Sequence, residues 1–370
     1  MKEQPAPYVQ PQPKVKIHSV RWLWLAWFSL AGFLLGACNQ LQPTQPGPTH
    51  SNIIFVTPTP PGLMMLSEGQ RFSAQPSAQS TAPAVPYFAG ANEMGQVLVL
   101  EYHRIGYPEQ RYQRTPDNLR ADLERLYQSG YYPVNFVEII QGLSAVPPGK
   151  KPIALTFDDS DISQFQVLAD RTIDADSAMG ILLNFHHQHP TDWPTRATFF
   201  VLGNDSNNHY SVFGQSELAK EKIQVLVDLG MEVGSHTVSH ADLSVATAER
   251  IYWELAVSQH VIEEMAPGYK VQTLSVPFGG FPYTLEFLKT GQWEDLSYSY
   301  IGNAAAWGGP NVSPFDPTFE PYHVSRLEIT DTSLDHWLTH FEQNPDAYYI
   351  SDGDPKRVTS PLRVEIAAEQ

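Results

Sequence analysis

From Val97 onward, short apolar runs of strand character alternate with amphipathic stretches of helical period, and few architectures other than a parallel sheet covered by helices accommodate that alternation. The strand runs fall at 97–100, 133–136, 153–157, 197–202, 232–235, 273–277, 297–301 and 347–351. Helical spacing falls at 117–130, 177–186, 216–229, 247–265 and 333–344. Seven or eight strands over roughly 270 residues predict an α/β fold, a distorted (β/α) barrel whose catalytic side chains gather at the carboxyl ends of its strands. Apolar residues make up 42% of the chain, enough to fill such a core. The barrel is expected at 91–370, as one catalytic domain.

The preceding sequence has a different character. Lys2, Lys14, Lys16 and Arg21 come ahead of an apolar run at 22–35, which at 14 residues is short of the roughly 20 that a membrane-spanning helix needs. That order is a signal peptide's, expected at 1–37. Leu35-Gly36-Ala37-Cys38 is similar to a bacterial lipobox, which implies lipidation of Cys38 and anchoring of the exported chain in a membrane. An ordinary cleaved signal and an uncleaved anchor are the alternatives, and all three place the domain outside the cytoplasm. Cys38 is the sole cysteine, so no internal disulfide forms. Residues 38–90, rich in Pro, Gln, Thr and Ser, are expected to be a tether. A formal net charge of -17 without any Lys/Arg run argues against nucleic acid as a partner, because phosphate binding needs a basic patch.

The chemistry-bearing residues sit at strand ends. Strand 153–157 runs directly into Asp158-Asp159. Neighbours on an extended chain point apart, so one carboxylate can ligate a metal while the other faces water or substrate, as a metal hydrolase requires. A capping pair in a loop is the plainer alternative. Strand 232–235 runs into His236-Thr237-Val238-Ser239-His240. If that segment turns helically, histidines four apart share a face and can grip one cation. Each pattern is weak alone. Together they supply two nitrogens and one oxygen and leave positions open for water. Zinc is the default ion for this donor set, and cobalt, nickel or iron suit the same ligands.

These residues resemble the polysaccharide deacetylase family, carbohydrate esterase family four. Its hallmarks are a Thr-Phe-Asp-Asp strand end, here Thr156 to Asp159, and a His-Ser/Thr-x-x-His segment, here His236 to His240. Tyr102-His103-Arg104-Ile105, Ala197-Thr198-Phe199-Phe200-Val201 and Pro277-Phe278-Gly279 extend the likeness. The resemblance implies Asp158 as general base and Asp159, His236 and His240 as ligands of a divalent metal, zinc by default. It implies hydrolysis of the N-acetyl group of an acetylated polysaccharide or oligosaccharide of the cell envelope or its surroundings, releasing acetate and a free amine. Pro277, Phe278 and Trp307 are candidate substrate contacts. Exposed rings of this kind, Tyr283 included, either stack on sugars or simply pack.

Three departures stand out. The family's Arg two residues before the proline of its third motif, which orients the base, is Ser275 here, so the base is expected to lack that partner. The late strand that usually supplies a general-acid His reads Tyr348-Tyr349-Ile350-Ser351-Asp352, and no pattern selects among Asp352, His323 and His340 as a replacement. Ser160 stands where Gly is usual, before an inserted segment at 161–195 whose His186, His187 and His189 read as surface residues rather than a second metal site. A surface carbohydrate-binding protein without turnover, and an O-acetyl esterase on the same fold, are the alternative functions.

Overall fold

The protein is described from a computed structural model over residues 88, 90–203, 212–330 and 332–361, all of which fall in one compact unit. The signal-like segment 1–37, Cys38 and, apart from Phe88 and Gly90, the tether lie outside the described residues. Among the described residues no helix is long and apolar enough to cross a membrane.

In chain order the strands are β1 Leu98–Tyr102, β2 Arg104–Ile105, β3 Gln113–Arg114, β4 Tyr131–Val134, β5 Lys151–Phe157, β6 Thr198–Val201, β7 Glu232–Ser235, β8 Thr273–Ser275, β9 Thr290–Trp293, β10 Leu296–Ser299, β11 Gly302–Ala304 and β12 Leu327–Glu328. The helices are α1 Pro116–Gln128, α2 Phe136–Ile140, α3 Ala178–Gln188, α4 Ala219–Asp228, α5 Ala248–Met265 and α6 Ser333–Gln343. The main sheet runs β11-β8-β7-β6-β5-β1-β12, all parallel, and β4 lies along the amino-terminal half of β5. Ala304 of β11 also bridges Val324, just ahead of β12, so the sheet curls back toward its own first edge. The distorted (β/α) barrel expected from the alternation is the fold observed.

Local chemistry explains the elements. β1 and β5 are buried along essentially their whole length, as parallel strands covered on both faces must be, and their apolar runs are correspondingly continuous. Thr115, Ser177 and Thr247 cap α1, α3 and α5 by accepting a hydrogen bond from a backbone N–H of the first turn, and Pro116 occupies the first turn of α1, where it sacrifices no helical bond. At the far end from the candidate site, buried Glu232 accepts from Val137 N and Thr198 Oγ1, both at 2.8 Å, and from Thr273 Oγ1 at 2.5 Å. That carboxyl, pushed up by burial, locks β6, β7, β8 and the start of α2 together. Gly234 is required by a close approach, since a Cβ there would lie 2.4 Å from the Phe200 ring.

Two expected strands are placed otherwise. Residues 297–301 contribute to β10, which pairs with β9 in an antiparallel hairpin outside the main sheet. Residues 347–351 make only isolated bridges, Gln96 to Tyr348 and Asn92 to Ile350. The strand beside β1 is β12, whose brief apolar signal in Val324-Ser325-Arg326-Leu327-Glu328 is interrupted by charge. The segment at 161–195, read as an insertion, is the crossover from β5 to β6. Its helix α3 packs on α1, and the loop before it is pinned by buried Lys222, whose Nζ donates to Phe165 O (2.6 Å) and Phe213 O (2.9 Å).

Candidate metal centre

β5 and β7 deliver the two polar segments to one cleft of about 520 Å³ at the carboxyl end of the sheet. After β5 the chain turns abruptly, with Asp159 and Ser160 both left-handed at φ 76° and 47°. A glycine would adopt Ser160's conformation more cheaply. Ser160 instead ties the turn down, its Oγ accepting from Leu202 N at 3.2 Å and its carbonyl from Phe213 N at 2.8 Å. After β7, Thr237 (φ 67°) and His240 (φ 56°) are left-handed, and so is Phe278 (φ 58°) after β8. Five strained non-glycine residues around one cleft mark a place where geometry has been held at a cost of order 1 kcal/mol each.

Asp159 Oδ1 lies 3.3 Å from Nε2 of both His236 and His240. This oxygen is buried without a hydrogen-bond partner, and ligand atoms of the three residues lie within 4.8 Å of one another. The histidines do not share a helical face, as the four-residue spacing suggested. The segment is a loop, and its left-handed residues bring the rings to 4.9 Å. His236 Nδ1 is 2.9 Å from the Ser275 carbonyl, which accepts its proton and aims Nε2 at Asp159. His240, pushed down to about 4 by burial and then by His236, is a neutral imidazole at neutral pH. Burial disfavours a charge on His236, yet Asp158 and Asp159 raise it, so a bound ion would take the place of its proton; two imidazoles and an unpartnered carboxylate oxygen fit a divalent ion.

Asp158 stands beside this trio, its Oδ2 3.8 Å from His236 Nε2. It is buried, and Arg326, itself fully buried, donates to Oδ1 and Oδ2 at 2.7 Å each, while Ser275 Oγ donates to Oδ2 at 2.8 Å. Burial opposes its charge, but the Arg326 guanidinium, with His236 beyond, holds the carboxyl well below the usual range. The expectation of a base without a basic partner is corrected here. The arginine comes from the position just before β12, the strand next to β1, instead of from β8, and Ser275 supports both groups, its Oγ lying 2.9 Å from Arg326 Nη2.

Arg326 also donates to Glu101 Oε1 at 3.0 Å, whereas Glu101 Oε2 is buried without a partner. Burial pushes Glu101 up to about 8 against the pull of Arg326, whereas Asp158 takes two hydrogen bonds from the guanidinium. His103 Nε2 stands 3.9 Å from Glu101 Oε1, and Glu101, His103 and Asp158 form a second close group. Arg326 already supplies the positive charge this group needs, which disfavours a cation there.

Phe278 and Trp307 line the cleft, both more than half exposed, and Phe278 meets the His240 ring edge to face at 4.4 Å. Pro277 is buried and starts the turn that presents Phe278, so it is no lining residue. Asp352, His323 and His340 do not line the cleft either. Asp352 sits in a separate network with Arg357 and Thr359, whose hydrogen bonds outweigh burial and lower its carboxyl. His323 stacks on Phe281 and His340 packs against Trp337 on α6. His186 is hydrogen bonded to the Trp193 carbonyl and His189 packs on Tyr127, so neither points to a metal. Sequence reading missed Arg326 and Glu101 and left His103 without a role. The available signal was a lone arginine in a strand-like run and a glutamate inside an otherwise apolar one.

No curated protein matches the chain in sequence. The polysaccharide deacetylase family model matches residues 191–291, which contain His236, His240 and the Ser275 to Phe278 turn but begin after Asp158. Among solved structures, the deacetylase PplD of Streptococcus pyogenes is 20% identical with a TM-score of 0.50, covering 66% of this chain and 97% of that one. A polysaccharide deacetylase of Bacillus cereus (22% identity, TM-score 0.48, 66% and 68% covered) and IcaB of Ammonifex degensii (22%, 0.47, 66% and 96%) are similar at lower scores. The likeness to PplD is one of fold. Taken with the family match over the histidine segment, it makes the chain similar in fold and in that segment to the polysaccharide deacetylases.

Proposed function

We propose that the protein is an exported, metal-dependent hydrolase that removes N-acetyl groups from a polysaccharide of the cell envelope or its surroundings. The observation that carries this reading is the convergence of Asp159, His236 and His240 beside a carboxylate held ionised by a buried arginine. A divalent ion held by these three residues, zinc by default, would supply Lewis-acid activation of the acetyl carbonyl and of water. Asp158 accepts the proton of the attacking water, and Arg326 keeps it ionised and aimed for that task. As the C–N bond breaks, the leaving nitrogen takes a proton from the His103 and Glu101 pair. Burial lowers His103 and raises Glu101, which brings the two closer in proton affinity and suits them to share a proton. Phe278 and Trp307 offer ring faces to the sugar.

A binding protein without turnover was suggested by the missing Arg and His. Arg326 on Asp158 and His103 in the cleft supply groups of the kinds those absences removed, which favours the enzyme. The products are acetate and a free amine, so the direct test is to offer the protein N-acetylated and O-acetylated glycans in parallel. Faster acetate release from the N-acetylated chain supports the reading, and release from the O-acetylated chain alone replaces it with an esterase. Lipidation of Cys38 belongs to the same proposal. A Cys38→Ser chain should move from the membrane fraction to the soluble fraction, and unchanged membrane association would rule out the lipid anchor.

A further inference from the structure

One buried carboxylate shapes the metal centre without touching it. Glu254 lies on the inner stripe of α5 with Ile251, Leu255, Ser258 and Ile262, where helical spacing calls for an apolar side chain, and it is fully buried. Its Oε2 accepts from Val238 N at 2.7 Å and Ser239 N at 2.9 Å, and its Oε1 accepts from the Ser239 hydroxyl. Arg250, one turn earlier on the helix, donates to the same carboxylate at 2.6 and 2.9 Å and to Ser239 Oγ at 2.7 Å. Glu254 does not line the cleft.

The two N–H groups it satisfies lie between the left-handed residues Thr237 and His240. Without an acceptor they would be buried and unpaired, and the loop would lose the bonds that offset its strain. The opposite side of the loop is held by Gly203, whose N–H donates to Thr237 O at 2.7 Å. The segment between the histidines is thus clamped from two sides, and its charged clamp is Glu254.

We propose that Glu254 is a positioning residue for the metal site, fixing the distance between His236 and His240 through the backbone of Val238 and Ser239. The inference rests on the reading of Asp159, His236 and His240 as metal ligands. Cobalt(II) titrated into the intact metal-free protein tests it, because the cobalt visible band reports both affinity and ligand geometry without any turnover. Glu254→Gln keeps the shape but loses the charge that receives both N–H groups. It is expected to bind cobalt about 10- to 100-fold more weakly, with a shifted band and an unchanged far-ultraviolet circular dichroism spectrum. Glu254→Asp, which keeps the charge but withdraws it from the loop, should weaken binding in the same direction and serves if the Gln variant does not fold. Ser239→Ala, which leaves both backbone bonds in place, should stay close to wild type. A folded Gln or Asp variant with wild-type affinity and spectrum would overturn the inference. If the wild-type protein itself takes up no cobalt, the ligand reading fails first and this inference with it.

Discussion

Arg326 is the residue on which the candidate base depends, and it is also the one least visible in the sequence. A guanidinium is the group best matched to two carboxylate oxygens, and here it meets Asp158 through both. Arg326→Lys keeps the charge but loses the fork, so kcat is expected to fall at least tenfold while cobalt affinity is unchanged; a wild-type kcat would remove Arg326 from the account. Arg326→Ala leaves Asp158 charged and uncompensated in a buried site, and a loss of about 3–5 kcal/mol in denaturant unfolding should accompany the loss of activity. Glu101→Gln should lower kcat and leave cobalt binding intact, because it removes a proton store rather than a ligand. None of this was legible at Ser275, where the family pattern places its arginine. The substitution was visible. Its compensation was not, because only the folding of β12 against β1 brings Arg326, 51 positions further along the chain, to the same point.

At the scale of elements, the two motif segments were legible because each follows an uninterrupted apolar strand, and β5 and β7 end where the runs at 153–157 and 232–235 predict. The conformation between the histidines was not legible, since spacing of four suggests a helical turn and a left-handed loop has no such periodicity. The strand next to β1 escaped for a related reason: β12 is only two residues long, and buried charge broke its apolar pattern. The loop elements bordering the cleft carry a testable titration. Lys222 is fully buried against Phe165 and Phe213, and burial pushes its amine down to about 7. In the unfolded chain it keeps its proton up to about 10.5. The unfolded state therefore binds more protons between those values, and stability should rise with pH across that window, by up to several kcal/mol. Lys222→Met should flatten that rise in urea unfolding measured from pH 7 to 10. An undiminished slope in the variant would show that other groups are responsible.

For the whole molecule, the alternation of strands and helices was enough to give the barrel, because a parallel sheet needs both faces covered and leaves a recurrent trace in the sequence. The site followed from where the strands end. The proposed acid did not, because the expected late strand at 347–351 is outside the main sheet and His103, in the segment after β1, lines the cleft instead. Metal binding should couple to global stability, since the ligands converge only in the folded chain. A saturating divalent ion at about 100 times its Kd is expected to add about 2.7 kcal/mol and raise the melting temperature, and chelation should reverse it. A melting temperature indifferent to metal would count against the ligand assignment.

Acetate release from N-acetylglucosamine oligomers, measured on the intact protein with metal, with chelator and as the Asp158→Asn variant, bears most directly on the central claim. The account predicts acetate from the metal-loaded protein, abolished by chelation and restored by adding metal back. It also predicts a variant that binds metal normally but releases acetate at least a hundredfold more slowly, the scale of a lost general base. Undiminished acetate release from the Asp158→Asn variant, or no release from a wild-type protein shown to hold its metal, would contradict it.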